Sequence, residues 1–66
     1  MKPDWKDAPE WAQWWAQDED GICWWFEVEP EAEESWWTSN AGEFAIDISL
    51  PWLGSGWTDT LEKRPE

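Results

Sequence analysis

Few residue types in this chain could carry out covalent or acid–base chemistry. It has 66 residues, of which 16 are Asp or Glu and one is Cys, and it has no His and no Tyr. A cysteine nucleophile needs a neighbouring base to form its thiolate. Cys23 has no imidazole to activate it, so we interpret it as a small filler in a strand. Carboxylates alone could act as paired acid and base, but among sixteen of them a pair at any spacing arises by chance. The sequence therefore predicts no enzyme, no catalytic residue and no cofactor.

A metal site is not predicted either. The stretch Asp18-Glu19-Asp20-Gly21 is similar to half of a calcium loop, but the alternating ligands and the distal bidentate Glu are absent. A single cysteine forms neither a zinc-binding CxxC pair nor an internal disulfide. We interpret this stretch as a solvated turn.

The charge distribution is the strongest functional signal. The net charge is −12, and the four basic residues (Lys2, Lys6, Lys63 and Arg64) lie at the two ends. The stretch from Asp7 to Glu62 thus contains acids and no basic residue. Such a single-sign field attracts basic partners. It argues against direct nucleic-acid binding, which needs Lys and Arg at the phosphates.

The cellular setting is predicted from what the sequence lacks. No apolar leader follows Met1, and no run approaches the roughly 20 apolar residues of a membrane helix. A lone cysteine is typical of a reducing compartment. We expect a cytoplasmic protein with no membrane contact.

Ten tryptophans predict a folded chain in spite of the charge. Low hydropathy with high net charge is typical of disorder, but disordered chains are poor in aromatics. Each Trp can bury roughly 150–250 Å², which suits a small domain with a limited core. We expect one domain over residues 1–66.

Two runs alternate with the period of a strand, at 22–29 and 43–50. The predicted inward residues are Ile22, Trp24, Phe26 and Val28 in the first run and Phe44, Ile46, Ile48 and Leu50 in the second. A short strand at 35–38 and a turn at 39–42 predict a hairpin that sets Trp37 opposite Phe44. Pro30 and the acidic stretch 31–34 are expected to form a connection rather than a strand.

The segment 11–17 supports two interpretations. A capping box at 7–10, with Asp7 as N-cap, and helical spacing of Trp11, Trp14 and Trp15 favour a helix. A turn at 18–21 favours a hairpin, with Trp15 opposite Trp24 and Trp14 opposite Trp25. We expect a helical turn over 8–11 and then a strand. The fold class is mainly β: a small antiparallel meander of three to four strands, a short N-terminal helical turn, and a C-terminal tail packed on the sheet through Trp57 and Leu61.

Three Trp doublets, at 14–15, 24–25 and 36–37, each place one indole on either side of a sheet. Two outcomes remain open for the second face. Either the N-terminal turn and the tail from Gly54 to Leu61 cover it, or an aromatic patch rimmed by acids stays exposed as an interaction site.

The order of motifs along the chain resembles a group of small Trp-rich proteins of tailed bacteriophages. The likeness covers most of the chain: Trp5-Lys6-x-Ala8-Pro9-Glu10-Trp11-Ala12, Trp14-Trp15, Asp20-Gly21, Trp25-Phe26-Glu27 with Pro30, Trp36-Trp37, and Trp57 with Leu61-Glu62-Lys63-Arg64-Pro65. The resemblance implies a phage protein in the cytoplasm of an infected bacterium. It implies no activity and no site residues.

The predicted function is that of an acidic, nucleic-acid-mimic-like inhibitor or modulator of a host defence or nucleic-acid-processing protein. The partner would present a basic surface. The candidate binding residues are Glu27, Glu29, Glu31, Glu33, Glu34, Glu43, Asp47, Trp25 and Trp36. The alternative is a self-associating virion accessory protein, such as a homodimer, that uses an exposed Trp face.

Overall fold

The computed structural model describes residues 3–47 and 56–65, and within them the chain is mainly β, as predicted. The strands are β1 Trp14–Gln17, β2 Cys23–Phe26, β3 Glu31–Ala32, β4 Trp37–Thr38, β5 Phe44–Asp47 and β6 Glu62–Lys63. Four of them form an antiparallel sheet in the order β5-β2-β1-β6, and β3 pairs with β4 in a separate two-stranded arm. Two 3₁₀ turns, Trp5–Asp7 and Trp57–Asp59, complete the fold.

The N-terminal turn forms earlier than predicted. Asp4, not Asp7, is the N-cap, and its carboxylate accepts a hydrogen bond from the Lys6 amide at 3.0 Å. A separate tight turn follows, in which the Ala12 amide donates to the Pro9 carbonyl. The strand interpretation of the next segment is confirmed, because β1 begins at Trp14.

The β1–β2 hairpin is confirmed, but its register differs by one residue from the prediction. Trp15 lies opposite Trp25, and Trp14 lies opposite Phe26. The turn is longer by one residue, and its Gly21 has a φ of 92°. Because side chains alternate between faces, this shift changes which indoles share a face.

Other elements cover part of each face of the sheet, so the predicted inward set is only partly right. On one side, the Trp25 face, Trp15, Cys23 and Trp25 are buried under the N-terminal residues Trp5, Ala8 and Trp11. On the other, the Trp24 face, Ala16 and Phe26 pack with Trp37, Trp57 and Leu61. The N-terminal turn and the C-terminal tail thus cover opposite faces.

Other members of the predicted inward set are not buried. Val28 lies beyond β2 and is exposed, and Phe44 and Ile46 are also exposed. Ile48 and Leu50 lie outside the described residues. Alternation locates the strand, but burial depends on whether another element covers its face.

The predicted β4–β5 hairpin is wrong, as is the assignment of 31–34 to a connection alone. Trp37 pairs with Ala32, whereas Phe44 pairs with Phe26. A local contact decides this, since the Glu33 amide donates to the Trp36 carbonyl at 2.7 Å and closes a tight turn. The turn at 39–42 then returns the chain to the free side of β2.

The C-terminal tail packs on the sheet as predicted. The Thr60 hydroxyl accepts a hydrogen bond from the backbone N–H of Gln17 at 2.9 Å, and β6 pairs with β1. Arg64 fastens the end of this tail. Its guanidinium donates to the Ala12 carbonyl at 2.7 Å and its amide to the Gln13 carbonyl at 2.7 Å.

Candidate functional site

Six of the predicted acids are exposed and lie within residues 27–43, and we call this set the acidic band. Its members follow β2, run through β3 and its turn, and resume before β5: Glu27, Glu29, Glu31, Glu33, Glu34 and Glu43. The two ends of the band meet, because the Glu27 amide donates to the Glu43 carbonyl at 3.0 Å. In return the Glu27 carboxylate accepts from the Glu43 amide at 2.9 Å.

Gly42 makes this junction possible. Its φ of +77° is a left-handed conformation that favours glycine. A Cβ at this position would lie 2.9 Å from both Glu27 Oε1 and Val28 Cγ2. A side chain there would push the Glu27 carboxylate away from the Glu43 amide. The turn glycine predicted from the sequence therefore also orients a band carboxylate.

The β3–β4 arm holds the middle of the band in place. Its turn is tied to the β1–β2 turn, since the Glu19 amide donates to the Ser35 carbonyl at 3.0 Å. At the base of the arm, the Trp37 amide donates to Asp18 Oδ1 at 2.8 Å and the Trp37 indole to the Gln17 carbonyl at 2.9 Å. Trp36, a candidate binding residue at the end of the arm, is 48% exposed. It stands beside Glu33 and Glu34 on a supported hairpin.

Asp18 is the acid whose ionisation the fold perturbs. Partial burial raises the pKa of its carboxyl above the ordinary value of 3.8, and the nearby charge of Asp20 acts in the same direction. The hydrogen bond from the Trp37 amide and the neighbouring indole of Trp24 oppose this rise. The Trp24 indole nitrogen is buried and makes no hydrogen bond of ordinary geometry, so we regard its effect as the weaker of the two.

Two predicted site residues are part of the core instead. Trp25 is only 2% exposed and packs against Trp5, with ring centroids 5.0 Å apart. Asp47 is 7% exposed, and its Oδ2 accepts a hydrogen bond from the Trp15 indole at 3.0 Å. Both lie on the Trp25 face, which the N-terminal segment covers. They cannot meet a partner at the surface.

The basic residues near the sheet are held away from the band. Lys63 Nζ lies 6.0 Å from the centre of the Trp14 ring, and the Arg64 guanidinium carbon lies 5.8 Å from that of Trp5. Both belong to the β6 side of the sheet, whereas Glu43 precedes β5 at the opposite edge. Two strands therefore separate these cations from that end of the band.

Two exposed apolar residues that the sequence placed in the core stand beside the band. Phe44 is 63% exposed and Ile46 is 49% exposed, both on β5. They lie on the same face as Trp24, whose ring centroid is 6.0 Å from that of Phe44. Their alternation with polar residues is the signal for a strand, but that pattern does not distinguish an edge strand from a covered one.

Within residues 3–47 and 56–65, no three Cys, Asp or Glu side chains converge closely enough to hold a metal ion. None of the helical segments in this part of the chain could cross a lipid bilayer. Comparisons with protein-family models, characterised proteins and solved structures find no match to this chain.

Proposed function

We propose that this protein is a non-enzymatic binding protein whose acidic band engages a basic surface on another protein. The observation that carries the proposal is the band: six exposed acids within residues 27–43, a range with no basic residue, while Lys63 and Arg64 lie against indoles elsewhere. In this proposal the carboxylates take the places of nucleic-acid phosphates. The field accelerates encounter with basic partners and repels nucleic acid itself.

The support under the band favours recognition over simple solubility. Carboxylates that merely keep a protein soluble need no fixed positions. Here the Glu27 carboxylate accepts a hydrogen bond from the Glu43 backbone amide, and Gly42 leaves room for it. The base of the arm is held by the hydrogen bonds of Trp37 to Asp18 and Gln17. Preorganised charges lose less entropy on binding.

The resemblance to Trp-rich phage proteins directs the choice of partner. It supports a host protein that handles nucleic acid, such as a defence nuclease or a recombination enzyme, in the infected bacterial cytoplasm. The protein would then act as an inhibitor or modulator by occupying the surface that normally binds phosphates.

Capture from bacterial lysate tests this proposal. The immobilised protein is compared with a band variant in which Glu31, Glu33 and Glu34 are changed to Gln. The matched control removes the same charge elsewhere, through Asp7→Asn, Glu10→Gln and Asp59→Asn. Captured proteins are identified at low and high salt, with and without duplex DNA as competitor.

We expect basic proteins whose capture weakens with salt, is displaced by DNA, and is lost in the band variant but kept in the control. Equal capture by the wild-type protein and the band variant would refute the proposal. So would capture that neither salt nor DNA reduces.

A second candidate is self-association as a virion accessory protein. The observation that favours it is the exposure of Phe44, Ile46 and Trp36, which a second copy could cover. Light scattering at micromolar concentration separates the two functions. A stable dimer supports self-association, and a monomer supports binding of a foreign partner.

A further inference from the structure

The two edges of the four-stranded sheet differ in how they are protected. Proteins usually guard an edge strand with charge or Pro, because its unpaired N–H and C=O groups can pair with another chain. β6 follows this rule, since it consists of Glu62 and Lys63 and is soon followed by Pro65. β5, at the other edge, presents Phe44 and Ile46 instead.

The alternation of hydrogen-bonded and non-hydrogen-bonded residue pairs between β5 and β2 shows which backbone groups of β5 face away from the sheet. The pairing of Glu27 with Glu43 is hydrogen-bonded, so alternate residues on β5, Ala45 and Asp47, also bond to β2. Phe44 and Ile46 therefore direct their N–H and C=O groups away from β2. Among the residues that the structure describes, no strand pairs with that side of β5.

The side chains of the same two residues form an apolar surface beside these backbone groups. Trp24 lies opposite Ile46 and its ring contacts that of Phe44, so the three side chains share one face of the sheet. An extended strand added along β5 could bond to the backbone of Phe44 and Ile46. Its alternate side chains would cover the two exposed residues.

Charge decides between the possible occupants of this edge. Glu43 comes directly before β5, and Glu27 is hydrogen-bonded to it from the end of β2; both residues are exposed. A second copy of this chain would bring another net charge of −12 to the contact. A basic strand would instead be attracted to the band and guided onto the edge beside it.

We propose that the outer edge of β5 is a docking site for an extended basic segment of the partner protein, which adds to the sheet as a further strand. This inference rests on the proposed function and names the element that would recognise the partner. The alternate apolar residues of the segment would pack on Phe44 and Ile46, and its Lys or Arg residues would meet the acidic band.

A short labelled peptide that alternates Lys and Val is the probe, with binding measured by fluorescence anisotropy at low salt. Comparison peptides alternate Thr or Glu with Val, and a further one has every backbone amide of the Lys–Val sequence N-methylated. The protein variant is Phe44→Ser. Val28→Ser is its control, because it removes another exposed apolar side chain that is not on β5.

We expect the Lys–Val peptide to bind and the Glu–Val and N-methylated peptides to fail. Phe44→Ser should weaken binding by at least about tenfold, whereas Val28→Ser should not. Amide chemical shifts of the wild-type protein provide a reading that needs no variant. Addition of the peptide should perturb the amides of Phe44 and Ile46 most strongly.

Three results would overturn the inference: tight binding of the N-methylated peptide, unchanged binding to Phe44→Ser, or peptide shifts confined to residues away from β5. Other occupants of the edge would also overturn it. A dimer in sedimentation equilibrium would identify a second copy. Protected Phe44 and Ile46 amides in a monomer that binds no peptide would identify a segment of this chain, such as 48–55.

Failure of this inference can be told apart from failure of the proposed function. If the band variant loses lysate capture but Phe44→Ser does not, the band binds the partner and the β5 edge does not. If the Thr–Val peptide binds as tightly as the Lys–Val peptide, the edge accepts strands but the charge-based function is wrong.

Discussion

The buried bond between the Trp15 indole and the Asp47 carboxylate should stabilise the fold in spite of the charge it brings. Asp47 adds to a net charge of −12, so long-range repulsion alone predicts that Asp47→Ala stabilises the protein. The local contact predicts the reverse, because Asp47 is 7% exposed and accepts the Trp15 N–H at 3.0 Å.

Magnitudes decide between these effects. A hydrogen bond to a charged group contributes about 1.5–3 kcal/mol, and a buried donor that loses its acceptor costs about 1–3 kcal/mol. The two figures describe the loss of the same bond and are not added, so we expect Asp47→Ala to destabilise by about 1.5–3 kcal/mol. Removing one charge among screened surface charges gains only about 0.2–1 kcal/mol. The local contact therefore dominates.

Urea unfolding followed by tryptophan fluorescence, with circular dichroism as a second probe, measures the effect. Asp47→Asn keeps an acceptor oxygen and should cost about 1 kcal/mol. Glu29→Ala makes the same charge change at an exposed position and should lie within about 0.5 kcal/mol of wild type. If Asp47→Ala is no less stable than Glu29→Ala, the carboxylate is not a structural acceptor and our reasoning is wrong.

Three further predictions concern stability and access. Arg64→Ala should lower the free energy of unfolding by about 2 kcal/mol in urea titrations, since it removes the charge-assisted bond to the Ala12 carbonyl. Arg64→Lys keeps the charge but lacks the planar guanidinium, so its stability should be intermediate. Equal stability of the wild-type protein and both variants would contradict this role. Because the folded-state pKa of Asp18 is raised, the native state binds its proton at higher pH than the unfolded chain does, so the contribution of Asp18 to stability increases as pH falls from neutral towards about 4. Asp18→Asn can still accept a hydrogen bond from the Trp37 amide, so it should melt at a higher temperature than wild type at pH 7 and lose this advantage near pH 4. A difference in melting temperature that does not vary with pH would show that ionisation of Asp18 is not its cause. Cys23 is buried, so its alkylation by iodoacetamide should follow the unfolding equilibrium in urea, and rapid labelling in native buffer would show that the strand is accessible.

The sequence was most informative where local chemistry decides the structure. Alternating residues located β2 and β5, and the turn residues at 18–21 and 39–42 marked where the chain reverses. Strand period and turn propensity depend on neighbouring residues alone, so they can be interpreted without the rest of the molecule. The absence of basic residues between Asp7 and Glu62 likewise predicted an acidic surface at the positions of the band.

Tertiary structure decided which face of each strand is covered and which strands are neighbours. A turn longer by one residue set Trp15 opposite Trp25 on the face that Trp5 covers, where the Trp15 indole donates to Asp47. The tight turn at Glu33 and Trp36 joined β3 to β4, which left β5 to pair with β2 at the edge of the sheet. The sequence by itself thus located β2, β4 and β5, the turns at 18–21 and 39–42, and the sign of the surface charge. The exposure of Phe44 and Ile46 and the burial of Trp25 and Asp47 depend on contacts between residues far apart in the chain, which a period-two pattern does not encode.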